Sequence, residues 1–164
     1  MMSQEMTVWV ASDHAGFELK EHILAALRAA EPTPGHASYV VRDGGPADDR
    51  RVDYPRLAWP LTERVAQGLA NHEEIRGVLI CGTGIGVSLV ANRHPAIRAA
   101  LAHNLFTAEM ARRHNNAQIL CLGARVIGRD LALAMVDIFL KTPFDGGRHA
   151  DRVDLLQSLD AQDR

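Results

Sequence analysis

Short apolar segments alternate along this chain with segments whose apolar residues recur at helical spacing. The apolar segments predict five strands, at residues 7–12, 39–41, 77–81, 97–102 and 118–122. The helical spacing predicts helices at residues 18–30, 85–92, 107–114, 129–140 and 147–159, and one whose start is flanked by Pro55 and Pro60. Parallel strands need crossover connections, which are usually helical. We therefore expect a three-layer α/β fold, Rossmann-like or flavodoxin-like, with a five-stranded parallel sheet and helices on both faces.

Length, charge and cysteine content restrict the class of protein. At 164 residues and 47% hydrophobic content, the chain is expected to form one core and a single domain spanning residues 1–164. A net charge of −2 gives no basic field for nucleic acid, so no nucleic-acid partner is expected. No apolar run approaches about 18 residues, and residues 1–6 do not resemble a secretion signal, so we expect neither membrane insertion nor export. Cys81 and Cys121 are too far apart in sequence for a typical disulfide framework or metal motif, which favours reduced thiols in the cytoplasm.

The most informative segment is residues 78–88, Val-Leu-Ile-Cys-Gly-Thr-Gly-Ile-Gly-Val-Ser. Its strand places Cys81 at a carboxyl end, where open α/β sheets bind ligands. Gly82, Gly84 and Gly86 leave backbone N–H groups uncovered for an anion. Cys81 is then a base or nucleophile, or else an ordinary buried cysteine at the end of a core strand. Cys121 lies inside an apolar run and is expected to be a core residue.

The glycine spacing does not match the nucleotide-binding motifs. A dinucleotide fingerprint would place its third glycine at Val87, whereas Gly86 comes one residue early. A Walker A motif needs a lysine that this loop lacks. The loop therefore fits a small anion or an enediolate better than a nucleotide cofactor.

Polar residues also follow the first strand and the fourth predicted helix. Asp13 and His14 end the first strand, and they should lie near Cys81 if strands one and three are neighbours. The alternative is that Asp13 caps the following helix and His14 is solvated. His114 and Asn115 close a helix just before strand five and are candidates for a site.

Arginines near the C-terminus are candidates for binding phosphate. Arg148 and Arg152 lie four residues apart on one helical face, and Arg125 follows strand five. Their planar guanidinium groups match phosphate oxygens. The alternative is that they are solvent-exposed surface residues.

Together these motifs resemble the ribose-5-phosphate isomerase B family, which includes the galactose-6-phosphate isomerase subunits. The resemblance covers residues 7–157, which form the core of the expected isomerase domain, and the motifs occur in the family's order. They are Asp13-His14-Ala15-Gly16, Asp53-Tyr54-Pro55, Cys81-Gly82-Thr83-Gly84-Ile85-Gly86, Ala91-Asn92, His114-Asn115-Asn116, Gly123-Ala124-Arg125 and Gly147-Arg148-His149. The resemblance implies an aldose–ketose isomerase without metal or cofactor, acting on a phosphorylated sugar as a homodimer or dimer of dimers with a shared active site.

The resemblance also implies roles for single residues. Cys81 is the base that moves a proton between C1 and C2, Thr83 assists at the adjacent hydroxyl, and His114, helped by Asp13, opens the sugar ring. Residues implied to contact substrate are His14, Tyr54, Gly82, Gly84, Gly86, Asn115, Arg125, Arg148 and Arg152. Arg148 and Arg152 in particular are implied to act across the dimer interface.

The expected substrate pair is ribose 5-phosphate and ribulose 5-phosphate. Alternatives are the same chemistry on allose 6-phosphate, galactose 6-phosphate or a tetrose phosphate, and a sugar-phosphate-binding module without catalysis. Sequence patterns assign no role to residues 31–53 or to His103.

Overall fold

A parallel sheet lies at the centre of the computed structural model, which describes residues 5–31 and 35–162. Its strands are β1 (Glu5–Ser12), β2 (Ser38–Asp43), β3 (Ile75–Cys81), β4 (Ala99–Leu101) and β5 (Ile119–Gly123). The helices are α1 (Phe17–Ala29), α2 (Tyr54–Ala70), α3 (Ile85–Ala91), α4 (Leu105–Arg113), α5 (Arg129–Lys141) and α6 (Arg148–Gln162). The strand order is β2-β1-β3-β5-β4 and each pairing is parallel. The predicted α/β fold with a five-stranded parallel sheet is confirmed.

The strand order brings the predicted neighbours together. Ser12 at the end of β1 pairs with Ile80, and Cys81 at the end of β3 pairs with Gly123 of β5. These strands end at one side of the sheet, which we call the carboxyl edge. The opposite side, where Ile119 begins β5, is called the amino edge. Compared with the flavodoxin order 2-1-3-4-5, the last two strands are exchanged, so the short β4 lies outermost.

Both faces of the sheet are covered by helices. Helices α1, α4 and α5 pack on one face, and α2 and α3 pack on the other. Alternate residues of β3 serve the two layers: Val78 and Ile80 pack under the first set, Leu79 and Cys81 under the second. A central strand buried on both faces explains why its sequence is continuously apolar rather than alternating.

Helix α2 contains both prolines that flank its predicted start. It begins at Tyr54 with Pro55 in its first turn, and Pro60 lies inside it. Proline removes the hydrogen bond that its N–H would give to the carbonyl of Arg56. Both residues are exposed, so that carbonyl is accessible to solvent and the helix continues through the proline.

Helix α6 is poorly covered by the rest of the chain. Val153 is buried, but Leu155, Leu156 and Leu159 are 67%, 50% and 60% exposed. Isolated helices of about 15 residues are marginal in water, so this apolar side needs another surface to cover it. Within residues 5–31 and 35–162, no helix has the length and hydropathy needed to cross a membrane.

Candidate active site

Cys81 ends β3 and leads directly into the glycine loop. The residue is 5% exposed, and its Sγ accepts a hydrogen bond from the Gly84 N–H at 3.1 Å. An N–H donor stabilises a thiolate more than a thiol. Beside it, the exposed Thr83 Oγ1 accepts from the Ile85 N–H at 3.3 Å. The loop therefore holds a sulfur atom and a hydroxyl close together at the carboxyl edge.

Two glycines of this loop have no room for a side chain. Gly84 has φ +78°, and a Cβ there would lie 2.6 Å from Leu101 Cδ1 and 2.9 Å from the Leu122 carbonyl carbon. A Cβ on Gly86 would lie 2.9 Å from Tyr54 Cζ. Gly86 thus lets the Tyr54 ring pack directly over the loop, which places that predicted contact residue at the site.

The turn after β5 fixes Arg125 beside the loop. The Ala124 N–H donates to the Cys81 carbonyl at 2.9 Å, and the Arg125 N–H donates to the Gly82 carbonyl at 3.0 Å. The Arg125 Nη1 lies 3.4 Å from the position of a Cβ on Gly82. A guanidinium group therefore stands over the start of the loop, exposed and available to an anion.

Asp13 and His14 lie at the same edge as Cys81, as predicted. The Asp13 N–H donates to the Ile80 carbonyl at 3.0 Å, which ties this turn to the end of β3. Asp13 Oδ1 accepts from the N–H groups of Ala15 at 2.9 Å and Gly16 at 3.1 Å. The capping role considered for Asp13 is thus present, at a short 3-10 helix over His14–Gly16.

His14 faces the long connection between β2 and α2. Its Nδ1 lies 3.2 Å from the Val52 carbonyl oxygen. A cavity of about 310 Å³ opens beside it, with Asp49, Ala124 and Arg129 among its lining residues. Sequence patterns did not indicate Asp49, Val52 or Arg129, because they reach this edge through the path of loops and not through a local motif.

His114 and the C-terminal arginines occupy a different part of the chain. The His114 ring stacks on the ring of His149, with centroids 4.1 Å apart and planes 5° from parallel. His149 is 9% exposed. Loss of hydration lowers the pKa of His149, and the charges of His114, Arg148 and Arg152 lower it further. The Asp145 N–H donates to the Arg113 carbonyl at 3.0 Å, which joins the start of α6 to the end of α4.

The two groups of residues lie at opposite edges of the sheet. Helix α4 runs from the carboxyl end of β4 back to the amino end of β5, so His114 and Asn115 lie at the amino edge. The residue steps from Ile119 to Gly123 alone span about 13 Å. One chain therefore does not bring His114 to Cys81 or Asp13, and any contact of His114 with either residue requires a second chain.

One group of described residues could supply three metal ligands. Donor atoms of His114, Asp145 and His149 all lie within 4.8 Å of one another. However, parallel stacked rings direct their nitrogen lone pairs side by side and not toward a common point. The Arg113 Nε–H also donates to both carboxylate oxygens of Asp145, to Oδ2 at 3.1 Å and to Oδ1 at 3.2 Å. The arrangement fits ring stacking and ion pairing better than a metal centre.

Cys121 and His103 belong to neither of these two groups of residues. Burial raises the pKa of the Cys121 thiol far above its ordinary value, and the charge of Cys81 adds to this effect. Cys121 is 0% exposed, which confirms it as a core residue. His103 is exposed and follows β4 at the carboxyl edge, where no hydrogen bond to the described residues gives it a role.

Known proteins are similar to this chain in sequence and in structure. A family described as Ribose/Galactose Isomerase matches residues 8–156. Ribose-5-P isomerase B of Listeria innocua is 37% identical over 159 residues, which cover 97% of this chain and 100% of that protein. Ribose-5-phosphate isomerase B of Clostridium thermocellum has a TM-score of 0.87 and 42% identity, covering 97% and 100% of the two chains.

A further solved relative contains a sugar phosphate. It is ribose-5-phosphate isomerase B of Mycoplasma genitalium with bound ribulose-5-phosphate, with a TM-score of 0.85 and 36% identity, covering 96% of this chain and 97% of that one. Because the sequence match covers most of the chain and the fold is shared, this chain belongs to the ribose/galactose isomerase family.

Proposed function

We propose that this chain interconverts ribose 5-phosphate and ribulose 5-phosphate. The observation that carries the proposal is Cys81, held at the carboxyl edge with its sulfur 3.1 Å from the Gly84 N–H. Family membership and the relative with bound ribulose-5-phosphate supply the substrate class. The chemistry is that of an aldose–ketose isomerase.

In the proposed reaction the Cys81 thiolate removes the proton from C2 of the open-chain aldose. The C–H electrons form a C1–C2 double bond, and negative charge develops on the C1 oxygen. Backbone N–H groups of Gly82 and Gly86 stabilise this oxygen, an interaction worth about 3–4 kcal/mol per donor in other enzymes. The Cys81 thiol then returns its proton to C1 and becomes a thiolate again. The proton of the C2 hydroxyl passes to the C1 oxyanion, assisted by Thr83, so that C2 becomes the carbonyl carbon and C1 carries the hydroxyl.

In the proposed mechanism the Gly84 N–H has a different role from the N–H groups of Gly82 and Gly86. This group donates to the Cys81 sulfur, so it is engaged before substrate arrives. In the proposal it stabilises the thiolate form of the base, whereas Gly82 and Gly86 serve the developing oxyanion. Arg125 and His14 bind the phosphate at the same edge, and Tyr54 lies over the loop as a substrate contact.

The proposal includes a homodimer, or dimer of dimers, with shared active sites. His114, Asn115, Arg148 and Arg152 would enter from the partner subunit, because they lie on the amino side of their own chain. A two-fold axis that places the amino edge of one chain on the carboxyl edge of the other completes two equal sites. In the proposed dimer, a second copy of the chain covers the exposed apolar side of α6, and this exposed side supports the arrangement.

We also propose a single-domain organisation and a cytoplasmic location for this protein. Residues 1–164 form one isomerase domain with its core in residues 7–157. Both cysteines are free thiols, which supports a cytoplasmic location.

The substrate is tested with a panel of phosphorylated aldoses. We expect the highest kcat/KM for ribose 5-phosphate among ribose 5-phosphate, allose 6-phosphate, galactose 6-phosphate and erythrose 4-phosphate. Faster turnover of another sugar would keep the chemistry and reject this substrate. Binding of all four without turnover would identify a sugar-phosphate-binding module instead of an enzyme.

A further inference from the structure

A second cluster of cations lies at the amino edge, away from Cys81. It consists of Arg76, Arg98 and Arg112, which we call the arginine cluster. Arg112 is 3% exposed, and its Nη1 donates to the Ala117 carbonyl at 2.6 Å and to Asn116 Oδ1 at 2.9 Å. Both acceptors are neutral. A buried guanidinium without a carboxylate partner is costly unless another anion compensates it.

The hydrogen bonds of the other two arginines are also incomplete. Arg98 donates to two backbone carbonyls, those of Asn115 at 2.9 Å and Asn116 at 3.1 Å. The buried Arg76 Nε and Arg98 Nη1 have no hydrogen-bond partner among the described residues. Native proteins leave few buried donors unsatisfied, so such atoms indicate a missing acceptor.

Nearby carboxylates do not neutralise the cluster. Glu74 Oε2 lies 3.5 Å from Arg76 Nη2, a long ion pair on a partly exposed side chain. Burial lowers the pKa of Arg112 to about 9, and the charge of Arg76 lowers it more than the charge of Glu74 raises it. The charge of Asp154 acts on Arg98, but it forms no ion pair with that arginine among the described residues. The local field at Arg112 therefore stays positive.

An open cavity adjoins Arg76 and Arg112 of the cluster, whereas Arg98 does not line it. It has a volume of about 330 Å³ and is lined by Glu74, Arg76, Arg112 and Lys141 among other residues. That volume is within the range of roughly 300–1,000 Å³ usual for small-ligand sites. Lys141 Nζ forms an ion pair with Asp137 Oδ1 at 2.6 Å, and its ammonium group has two further N–H donors.

We propose that this cavity is a second anion-binding site, specific for a phosphate group. Arg76, Arg112 and Lys141 approach it from β3, α4 and α5, that is, from three separate elements. Donors arriving from several directions suit the tetrahedral oxygens of phosphate better than a planar carboxylate. The cavity shares no residue with the Cys81 loop, and its lining includes none of the amino-edge residues that the proposed dimer brings into the active site, so the two proposals are tested separately.

The site is tested by calorimetric titration of the full-length protein with inorganic phosphate at constant ionic strength. The background carries Arg125→Ala and Arg148→Ala, so that phosphate binding at the proposed active site is weakened. We expect about one phosphate per chain in this background. Arg76→Gln and, separately, Lys141→Met should each weaken binding about tenfold, the effect of losing one hydrogen bond from a charged donor.

The control is Arg28→Gln, an exposed arginine at the end of α1 outside the cavity lining, which should leave binding unchanged. Circular dichroism checks that each variant is folded, and the partly exposed Lys141 provides a test if Arg76→Gln is unstable. Unchanged binding in Lys141→Met and in folded Arg76→Gln would overturn the proposal, as would acetate binding as tightly as phosphate. Isomerase assays of the unsubstituted protein report on the proposed function separately, since absence of turnover there would leave this titration unaffected.

Discussion

At the scale of single residues, position within the sheet separates the two cysteines. Cys121 lies within β5 and is 0% exposed, and burial raises the pKa of its thiol. Cys81 lies two residues nearer the carboxyl edge in the neighbouring strand, where a backbone N–H faces its sulfur. The two cysteine side chains lie on the same face of the sheet. Their environments differ because Cys81 is at the end of its strand, whereas Cys121 is within one.

This difference predicts opposite effects for the two alanine substitutions. Cys81→Ala should lower kcat by about 10²–10⁴-fold, the usual contribution of a positioned general base. Its fold and phosphate binding should change little, because the sulfur is lost at the end of a strand. The measurement is kcat and KM for ribose 5-phosphate together with thermal unfolding.

Cys121→Ala is the matched control. It removes a fully buried sulfur from the core, so it should lower the melting temperature while keeping most of the activity. Substantial activity in Cys81→Ala would show that another group serves as the base.

At the scale of elements, the sequence predicts what each segment is better than where it begins. The periodicity of residues 118–122 and 129–140 predicts β5 and α5 to within one or two residues at each end. Pro55 and Pro60 locate the start of α2 only to within a few residues, since local rules disfavour proline in a helix interior whereas solvent exposure permits Pro60 there. Motifs also predict which end of a strand or helix carries a side chain, but not whether two such ends meet within one chain.

The glycine loop joins local conformation to packing, and its glycines should respond differently to substitution. Gly84→Ala should destabilise the protein by about 2 kcal/mol or more, because φ is +78° and a Cβ would meet the Leu122 backbone at 2.9 Å. Gly82→Ala is the matched control, since its nearest contact is the end of the flexible Arg125 side chain at 3.4 Å. Urea denaturation of both variants measures the difference, and equal destabilisation would contradict it.

At the scale of the whole molecule, the residues of the proposed site lie on opposite edges of one sheet. The carboxyl edge holds Cys81, Asp13 and Arg125, and the amino edge holds His114 and Arg148. Helix α6 adds an apolar side that its own chain leaves exposed. The proposed symmetric dimer would account for both features, by covering α6 and by bringing the amino edge of one chain to the carboxyl edge of the other.

Shared sites predict that two inactive variants restore activity when mixed. In a dimer of Cys81→Ala with His114→Gln, one site carries both substitutions, and the other combines native Cys81 from one chain with native His114 from its partner. Random exchange of subunits puts about half of the chains into such dimers, so activity should rise to about a quarter of the native value. The measurement is isomerase activity after the two proteins are unfolded and refolded together, with each variant refolded alone as control. Sites contained within single chains would give no recovery, since every chain in the mixture lacks one of the two groups.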